Sequence, residues 1–433
     1  MFPQSPGFHL ISATIRSDPH PSASPGGLPE GIIKLVRSFL FYVLLFAGYA
    51  SAFPFIVVYY QNLGFSGTEI GLLTGITPLV TFFGAPFWTR LADSTRRHRL
   101  IMTLTMSGGI LAVCVLPLLR AFLPILAAGL LMSFFMSPSS SFADNATMHA
   151  LGDRKDLYGR IRLGGSIGFA LAAPIAGAVV QNTDLRVAFW IAGTLYLLAL
   201  AVSRRFDHGF SAGKPSAAGG AGALLRDPRW IVFLGIAFAG GLAMTAANNY
   251  LFPLMKEIGA KESMMGIALS IGTVFEFPIL FFSNRLIRIF KPYGLFLLSM
   301  VFTGLRLVLF GLNSVPELIL PIQLLNGLSF PVMWMAGVAY AHERAPAGYT
   351  ASAQGMFSAM VFGIGSATGG FLGGLLLEDL GGRGLFLVYG GIVFAVVAIG
   401  ALIGRLLPAE VPQPAEAGLV PEMPSIGKNG ESQ

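Results

Sequence analysis

Charge is what this chain has least of. Asp, Glu, Lys and Arg make up 11% of its 433 residues, against 54% hydrophobic residues. Soluble domains carry roughly 25% charged residues, so an ordinary soluble globule is excluded. Cysteine is almost missing too, and the lone Cys114 has no partner for an intrachain disulfide. No nucleophile–base set, metal-ligand cluster or phosphate-binding loop stands out, which argues against an enzyme. The chain does not open on a basic segment followed by an apolar core, so no signal peptide is read there. Its first 30 residues are polar instead and hold six prolines (Pro3, Pro6, Pro19, Pro21, Pro25, Pro29). The net charge of +7 would suit nucleic acid, but the bases are scattered between apolar runs and form no dense patch. No nucleic-acid partner is expected; a positive-inside bias explains them better.

Long apolar runs are what the chain has in abundance. The mean hydropathy is +0.71, and this length holds about a dozen spans of some 20 residues. The runs fall at about 38–60, 69–90, 100–119, 122–149, 158–181, 185–203, 229–255, 263–288, 292–312, 317–341, 350–377 and 384–406. A break at Arg204–Arg229 carries Gly213, Pro215 and the stretch Gly219–Ala223. The expected fold is an all-α membrane protein of twelve transmembrane helices in two pseudo-symmetric six-helix bundles. A disordered tail (1–37), a first bundle (38–203), a linker (204–228), a second bundle (229–406) and a tail (407–433) would follow in order. Thirty-six phenylalanines and four tryptophans suit lipid-facing surfaces.

With the N-terminus inside, 22 of the 28 Lys and Arg fall on inside segments. Arg120, Arg186, Lys256, Lys261 and Arg383 fall outside, and Arg306 is left within a span. That asymmetry favours both termini in the cytoplasm. The halves also echo each other. Ser166-Ile167-Gly168 corresponds to Gly363-Ile364-Gly365 at an offset of 197, and Ala176-Gly177 falls on Gly373-Gly374. Such symmetry marks a secondary transporter built from parallel repeats.

A few polar residues interrupt the runs. Asp144 lies in the fourth, and Arg160 and Arg162 open the fifth, with a charged turn between. Ionised groups in hydrocarbon are costly, usually paired, and by default functional. Glu276 sits near the middle of the eighth run among apolar and small neighbours, where a carboxyl is cheaper neutral than charged and can hold a proton. A static pairing with Arg306 of the ninth run is the competing reading. Asn248, Asn249 and Tyr250 in run seven, Gln354 in run eleven, and Tyr42, Tyr49 and Pro54 in run one are candidates to line a cavity. Each alone also serves as glue between helices.

Between runs two and three stands Thr89-Arg90-Leu91-Ala92-Asp93-Ser94-Thr95-Arg96-Arg97-His98-Arg99. It resembles the G-x-x-x-D-R/K-x-G-R/K-R/K signature of the major facilitator superfamily. Asp93 and the basic character of the run Arg96, Arg97, Arg99 match, whereas position by position Thr89 and Arg96 stand where the family has glycines and Ser94 where it has a base. The resemblance implies a conformational gate at Asp93 and Arg97. Asp93 would stabilise the outward-facing state by approaching the N-terminal end of run eleven. A second copy, Ser283-Asn284-Arg285-Leu286-Ile287-Arg288, has Asn284 where the acid belongs.

Tyr158-Gly159-Arg160-Ile161-Arg162-Leu163-Gly164-Gly165-Ser166 resembles the lactose permease and phenylpropionate transporter branch. There a carboxylate of the fourth helix and the second arginine of this segment bind substrate; Asp144 and Arg162 match those positions. The branch also carries an acid in its eighth helix, where Glu276 stands. Gln323-Leu324-Leu325-Asn326-Gly327-Leu328-Ser329-Phe330 resembles its Q-x-L-H segment, with Asn326 replacing the histidine and Ser329 the deprotonating glutamate. Neither titrates near neutrality, which leaves Glu276 and Asp144 as candidate proton carriers.

The resemblance implies proton-coupled uptake of a small organic solute (a sugar, nucleoside or aromatic acid) by alternating access. Asp144, Arg162, Tyr49, Asn248, Asn249, Asn326 and Gln354 would bind it. Glu276, Asp144 and Arg306 would handle the proton. No metal or cofactor is expected beyond a proton gradient, and the expected partners are substrate, protons and the lipid bilayer. The chain would act as a monomer in the cytoplasmic (inner) membrane. An efflux carrier, or a non-transporting sensor on the same fold, are the alternatives. Sidedness is testable once Cys114 is removed: a membrane-impermeant thiol reagent on intact cells should label Lys261→Cys and leave Arg97→Cys and Arg226→Cys unmodified.

Overall fold

Hydrocarbon offers backbone amides no partner, so an apolar run long enough to cross it folds as a helix that satisfies itself. Each of the twelve apolar runs is helical in the structure, a computed structural model that describes residues 30–152, 154–206, 221–346 and 349–406. No strand occurs among the described residues. The first seven spans are Ile32–Asn62, Gly67–Thr95, His98–Leu118, Phe122–Leu151, Tyr158–Asn182, Arg186–Ser203 and Pro228–Glu257. The ninth and tenth are Pro292–Leu312 and Pro316–Arg344. The eighth is broken into Glu262–Val274, Glu276–Phe281 and Ser283–Phe290. The last two are continuous in helical hydrogen bonding except at Gly381, whose φ of 69° divides an eleventh span (350–380) from a twelfth (382–406).

Several boundaries differ from those expected. The first helix begins at Glu30, so residues 30–37 belong to it rather than to a tail. A short helix, Ala221–Leu224, occupies part of the expected linker. The tails at 1–29 and 407–433 and the linker stretch 207–220 lie outside the described residues. The charged segment after the second run is mostly helix, because the second span continues to Thr95 and the third begins at His98. Only Arg96 and Arg97 make the turn. Arg96 holds φ 55°, a left-handed conformation that glycine adopts most cheaply, and it stands where the family signature has glycine. At the other end of the second span, Ser66 caps the helix and Glu69 returns to the Ser66 amide, a reciprocal capping box.

The halves are sealed at one end by small residues. Gly67, Gly71 and Gly75 of the second span face the eleventh, and a Cβ on Gly374 would run into the Gly67 carbonyl and the Gly71 backbone. Gly266 of the eighth span lies as close to Ala173 of the fifth. Hydrogen bonds stitch the seam. Tyr250 Oη donates to Gly370 O (2.6 Å), and Ser270 Oγ donates to Ala170 O (2.6 Å). The Thr68 amide donates to Glu378 (3.1 Å) and Lys256 Nζ to Asn62 (2.5 Å). Thr68 and Ser270 lie in the N-terminal halves of the second and eighth spans, and Asn62, Tyr250, Lys256, Gly370 and Glu378 in the C-terminal halves of the first, seventh and eleventh, so in alternating spans these bonds gather at one end of the bundle. Toward the opposite end, Phe82, Phe87 and Arg90 of the second span and Arg160, Arg162 and Leu163 of the fifth are exposed. A cavity therefore opens toward the end bearing Arg96 and Arg97. Large apolar side chains such as Phe83, Leu123, Leu171 and Phe281 are exposed on the outside of the bundle, as a lipid-facing surface requires.

The glycine seam predicts a directional effect. Gly374→Leu, made with Thr77→Cys in a Cys114-free chain, should unseal the closed end. Labelling of the cavity cysteine by an impermeant reagent applied from that side should accelerate several-fold. An unchanged rate would show that the seam does not set closure.

Candidate functional site

Irregular backbone surrounds the cavity. The first span tightens into a 3₁₀ turn at Phe53–Phe55 around Pro54, and the seventh widens into a π-turn over Ala246–Tyr250. A second π-turn covers Ala359–Gly365, and the tenth span carries a 3₁₀ stretch at Leu324–Leu328. Such departures are tolerated inside a membrane where backbone lines a cavity or is covered by protein, and π-turns concentrate at functional sites. Here they turn Asn248, Asn249 and Asn326 into the space between the bundles.

That space has two lobes of about 470 Å³ each, which share Phe46, Tyr49, Phe53, Asn248, Asn249 and Phe362 in their walls. The first lobe adds hydroxyls from Thr77, Thr81, Ser133, Ser137 and Ser140. The Tyr49 ring is 41% exposed and stacks on Phe53, with centroids 4.2 Å apart and planes 14° from parallel. The second lobe holds Glu276, Arg306, Gln323, Asn326 and Ser329.

Glu276 and Arg306 share this lobe without forming a direct ion pair, which is not the static pairing of the competing reading. Asn326 stands between them. Its Nδ2 donates to Glu276 Oε1 (2.7 Å) and to Gly272 O (3.2 Å), while its Oδ1 accepts from Arg306 Nη1 (2.6 Å). Arg306 Nη2 donates to Gln323 Oε1 (2.5 Å), its guanidinium lies 5.3 Å from the Phe310 ring centre, and its Nε is buried without a partner. The broken eighth span explains how Glu276 reaches this position: the helix stops at Val274 and restarts at Glu276.

Asp144 and Arg162 do come together, across the turn after the fourth span. Arg162 Nη1 donates to both Asp144 oxygens (3.3 and 3.2 Å) and to Tyr158 Oη (2.8 Å), and Tyr42 Oη donates to Asp144 (2.5 Å). One nitrogen carries all three arginine contacts, and the side chain is 48% exposed. The pair lines neither lobe. Asp144 lies one helical turn beyond Ser140, on the open side of the first lobe.

The remaining candidates lie farther out. Gln354 is exposed on Thr350–Ser358 and lines neither lobe, which corrects the expectation that it faces the cavity. Tyr42 is fully buried against Asp144 and does not line the lobes either. Asp93 pairs with His98 (2.8 Å), and Arg97 is exposed at the start of the third span. Gln323 and Tyr158, which the sequence places in family-like segments without a role, are further members of these networks. The i, i+4 spacing of Tyr158 and Arg162 is the signal for Tyr158, and the Q of the Q-x-L-H resemblance for Gln323.

The arrangement matches known transporters. The MFS_1 like family matches residues 35–388. Maltose permease of Geobacillus stearothermophilus is 27% identical over 351 residues, covering 78% of this chain and 86% of that protein. The probable 3-phenylpropionic acid transporter of Escherichia coli is 26% identical over 377 residues, covering 84% and 95%. Among solved structures, the nucleoside transporter NupG superposes with a TM-score of 0.77 at 16% identity, covering 86% of this chain and 99% of NupG. A bacterial homologue of the lysosomal transporter Spinster, inward-facing and unoccupied, gives 0.70 at 15% identity, covering 88% and 98%. With its helices, its cavity and its matching segments in place, this chain belongs to the MFS_1 like family of major facilitator transporters, multi-pass membrane proteins that move small solutes and are not enzymes.

Proposed function

We propose that this protein couples uptake of a small organic solute to proton movement across the cytoplasmic membrane. The observation that carries the reading is Glu276: a mid-span acid on the cavity wall, tied to its counter-charge Arg306 only through the neutral amide of Asn326. Ionised, it accepts from Asn326 and balances Arg306 at one remove. Protonated, it removes that balance from a lobe large enough for a substrate. The two protonation states therefore place different charge in the cavity wall, and differential energetics of that kind are what shift a conformational equilibrium.

Under the orientation given by the basic residues, the open end is cytoplasmic and the state described is inward-open. Asp93 then engages His98 rather than the eleventh span, as a gate that closes only in the outward-open state would. Tyr49, Asn248, Asn249 and Asn326 hold the solute in the lobes. Arg162, with its remaining N–H groups turned from Asp144, meets it at the mouth. The relatives named for maltose and for 3-phenylpropionic acid support a small organic cargo.

Two variants test these roles in proteoliposomes, using whichever of maltose, uridine or 3-phenylpropionate the native protein accumulates. Glu276→Gln keeps an oxygen for the Asn326 amide but cannot release a proton. It should retain solute exchange and lose accumulation driven by a pH gradient. Accumulation by a well-folded Glu276→Gln protein would eliminate Glu276 as the proton carrier. Arg162→Lys can keep the Asp144 contact while losing the planar fork. Its thermal stability should stay near native while uptake falls at least about tenfold, the scale of one lost charge-assisted contact. Near-native uptake would retire Arg162 as a substrate contact.

A further inference from the structure

The charges in the cavity wall do not balance in both protonation states. Among the described residues lining the two lobes, Glu276 and Arg306 are the only acid and base. Arg306 keeps its proton throughout. The empty lobe is neutral with Glu276 ionised and carries one positive charge once Glu276 is protonated. An uncompensated charge buried between helices is costly, so the protonated state favours a cargo that brings one negative charge.

The guanidinium also has donors to spare. Its Nη1 and Nη2 each serve one amide oxygen, at Asn326 and Gln323, and its Nε is buried with no partner. Nη1 and Nη2 each carry a second N–H, and a carboxylate is the planar, two-oxygen acceptor that suits such a pair of donors; a single hydroxyl satisfies less of it. Beside Asn248, Asn249 and the hydroxyls of Ser166 and Thr273, much of the lobe's wall is aromatic, formed by Tyr49, Phe53, Phe169, Phe330 and Phe362.

We infer that the cargo is a monocarboxylate with an apolar body, held by Arg306 when Glu276 is protonated. This rests on the proposed transport reading and deepens it. One proton and one carboxylate enter together and no net charge crosses.

The other charged groups on elements packed against Glu276 lie well away along their helices. Glu262 opens the first piece of the eighth span, and Arg285 and Arg288 lie in its third piece. Tyr340, His342, Glu343 and Arg344 occupy the last turns of the tenth. None of them lines the lobe, where Arg306 is the sole facing charge among the described residues.

The test uses 3-phenylpropionate, benzoate and octanoate beside 3-phenylpropanamide, maltose and uridine. Purified native protein should bind a carboxylate, and bind it several-fold more weakly at pH 8 than at pH 6, a range in which these acids stay ionised. Glu276→Gln should bind it tightly at both pH values, and Arg306→Lys should lose at least tenfold in affinity. If Arg306→Lys fails to fold, the Glu276→Gln comparison decides. In proteoliposomes, uptake of the acid should follow a pH gradient and ignore a potassium diffusion potential set with valinomycin. Equal binding of acid and amide, binding of no carboxylate, or potential-driven uptake of maltose or uridine would overturn the inference and leave a proton-coupled carrier standing. Carboxylate binding in the stated pH pattern, with no accumulation of any solute, would instead overturn the transport reading and leave the carboxylate site.

Discussion

An arginine in the middle of a membrane span cannot shed its charge, and much of this cavity is arranged around that fact. Arg306 is 7% exposed. The protein meets it with neutral dipoles, the amide oxygens of Asn326 and Gln323 and the face of Phe310, and keeps the nearest carboxylate one residue removed. A direct pair would be stronger and more static; breaking one costs about 3–5 kcal/mol. An amide spacer leaves the acid free to change protonation without stripping the arginine of its hydrogen bonds.

Helix irregularity is the means by which these groups reach one place. A regular eighth helix would carry Glu276 on through the turn that starts at Val274; the restart after Phe275 repositions it at the head of a short helix. The π-turn at Ala246–Tyr250 does the same for Asn248 and Asn249, and the 3₁₀ stretch at Leu324–Leu328 for Asn326. Each departure sits where covering helices or the cavity can take up the loosened backbone groups.

How much was legible beforehand follows from range. Spans are local: an apolar run announces a helix, and the twelve runs were found to within a turn or two at most ends. The exceptions were the extension of the first helix to Glu30 and of the second to Thr95, where polar residues carry a helix beyond its apolar stretch. The Asp144–Arg162 pair was legible because one turn joins its helices and both residues are conspicuous in apolar surroundings. Tyr42, which completes it, comes from 102 residues away, and nothing in its local pattern points to Asp144. The partner of Gln323 and the break at Phe275 were hidden for a related reason. A glutamine in a helix and a phenylalanine in an apolar run carry no mark of what faces them.

The seal between the bundles has one more physical property. Among the described residues no ion pair crosses it; Glu378 meets a backbone amide, Lys256 a neutral asparagine and Gln181 the Ser263 amide, beside glycine contacts, hydroxyl bonds and the edge-to-face rings of Phe55 and Phe252. Ionic strength screens exposed charge pairs far more than it screens close packing, so salt has little purchase on this closure. Its stability instead follows shape, temperature and the lateral squeeze of the surrounding lipid. The rocking of the two bundles is in that sense a mechanical equilibrium, set by how closely two glycine-lined helices can approach, while the electrical part of the mechanism is confined to the cavity they enclose.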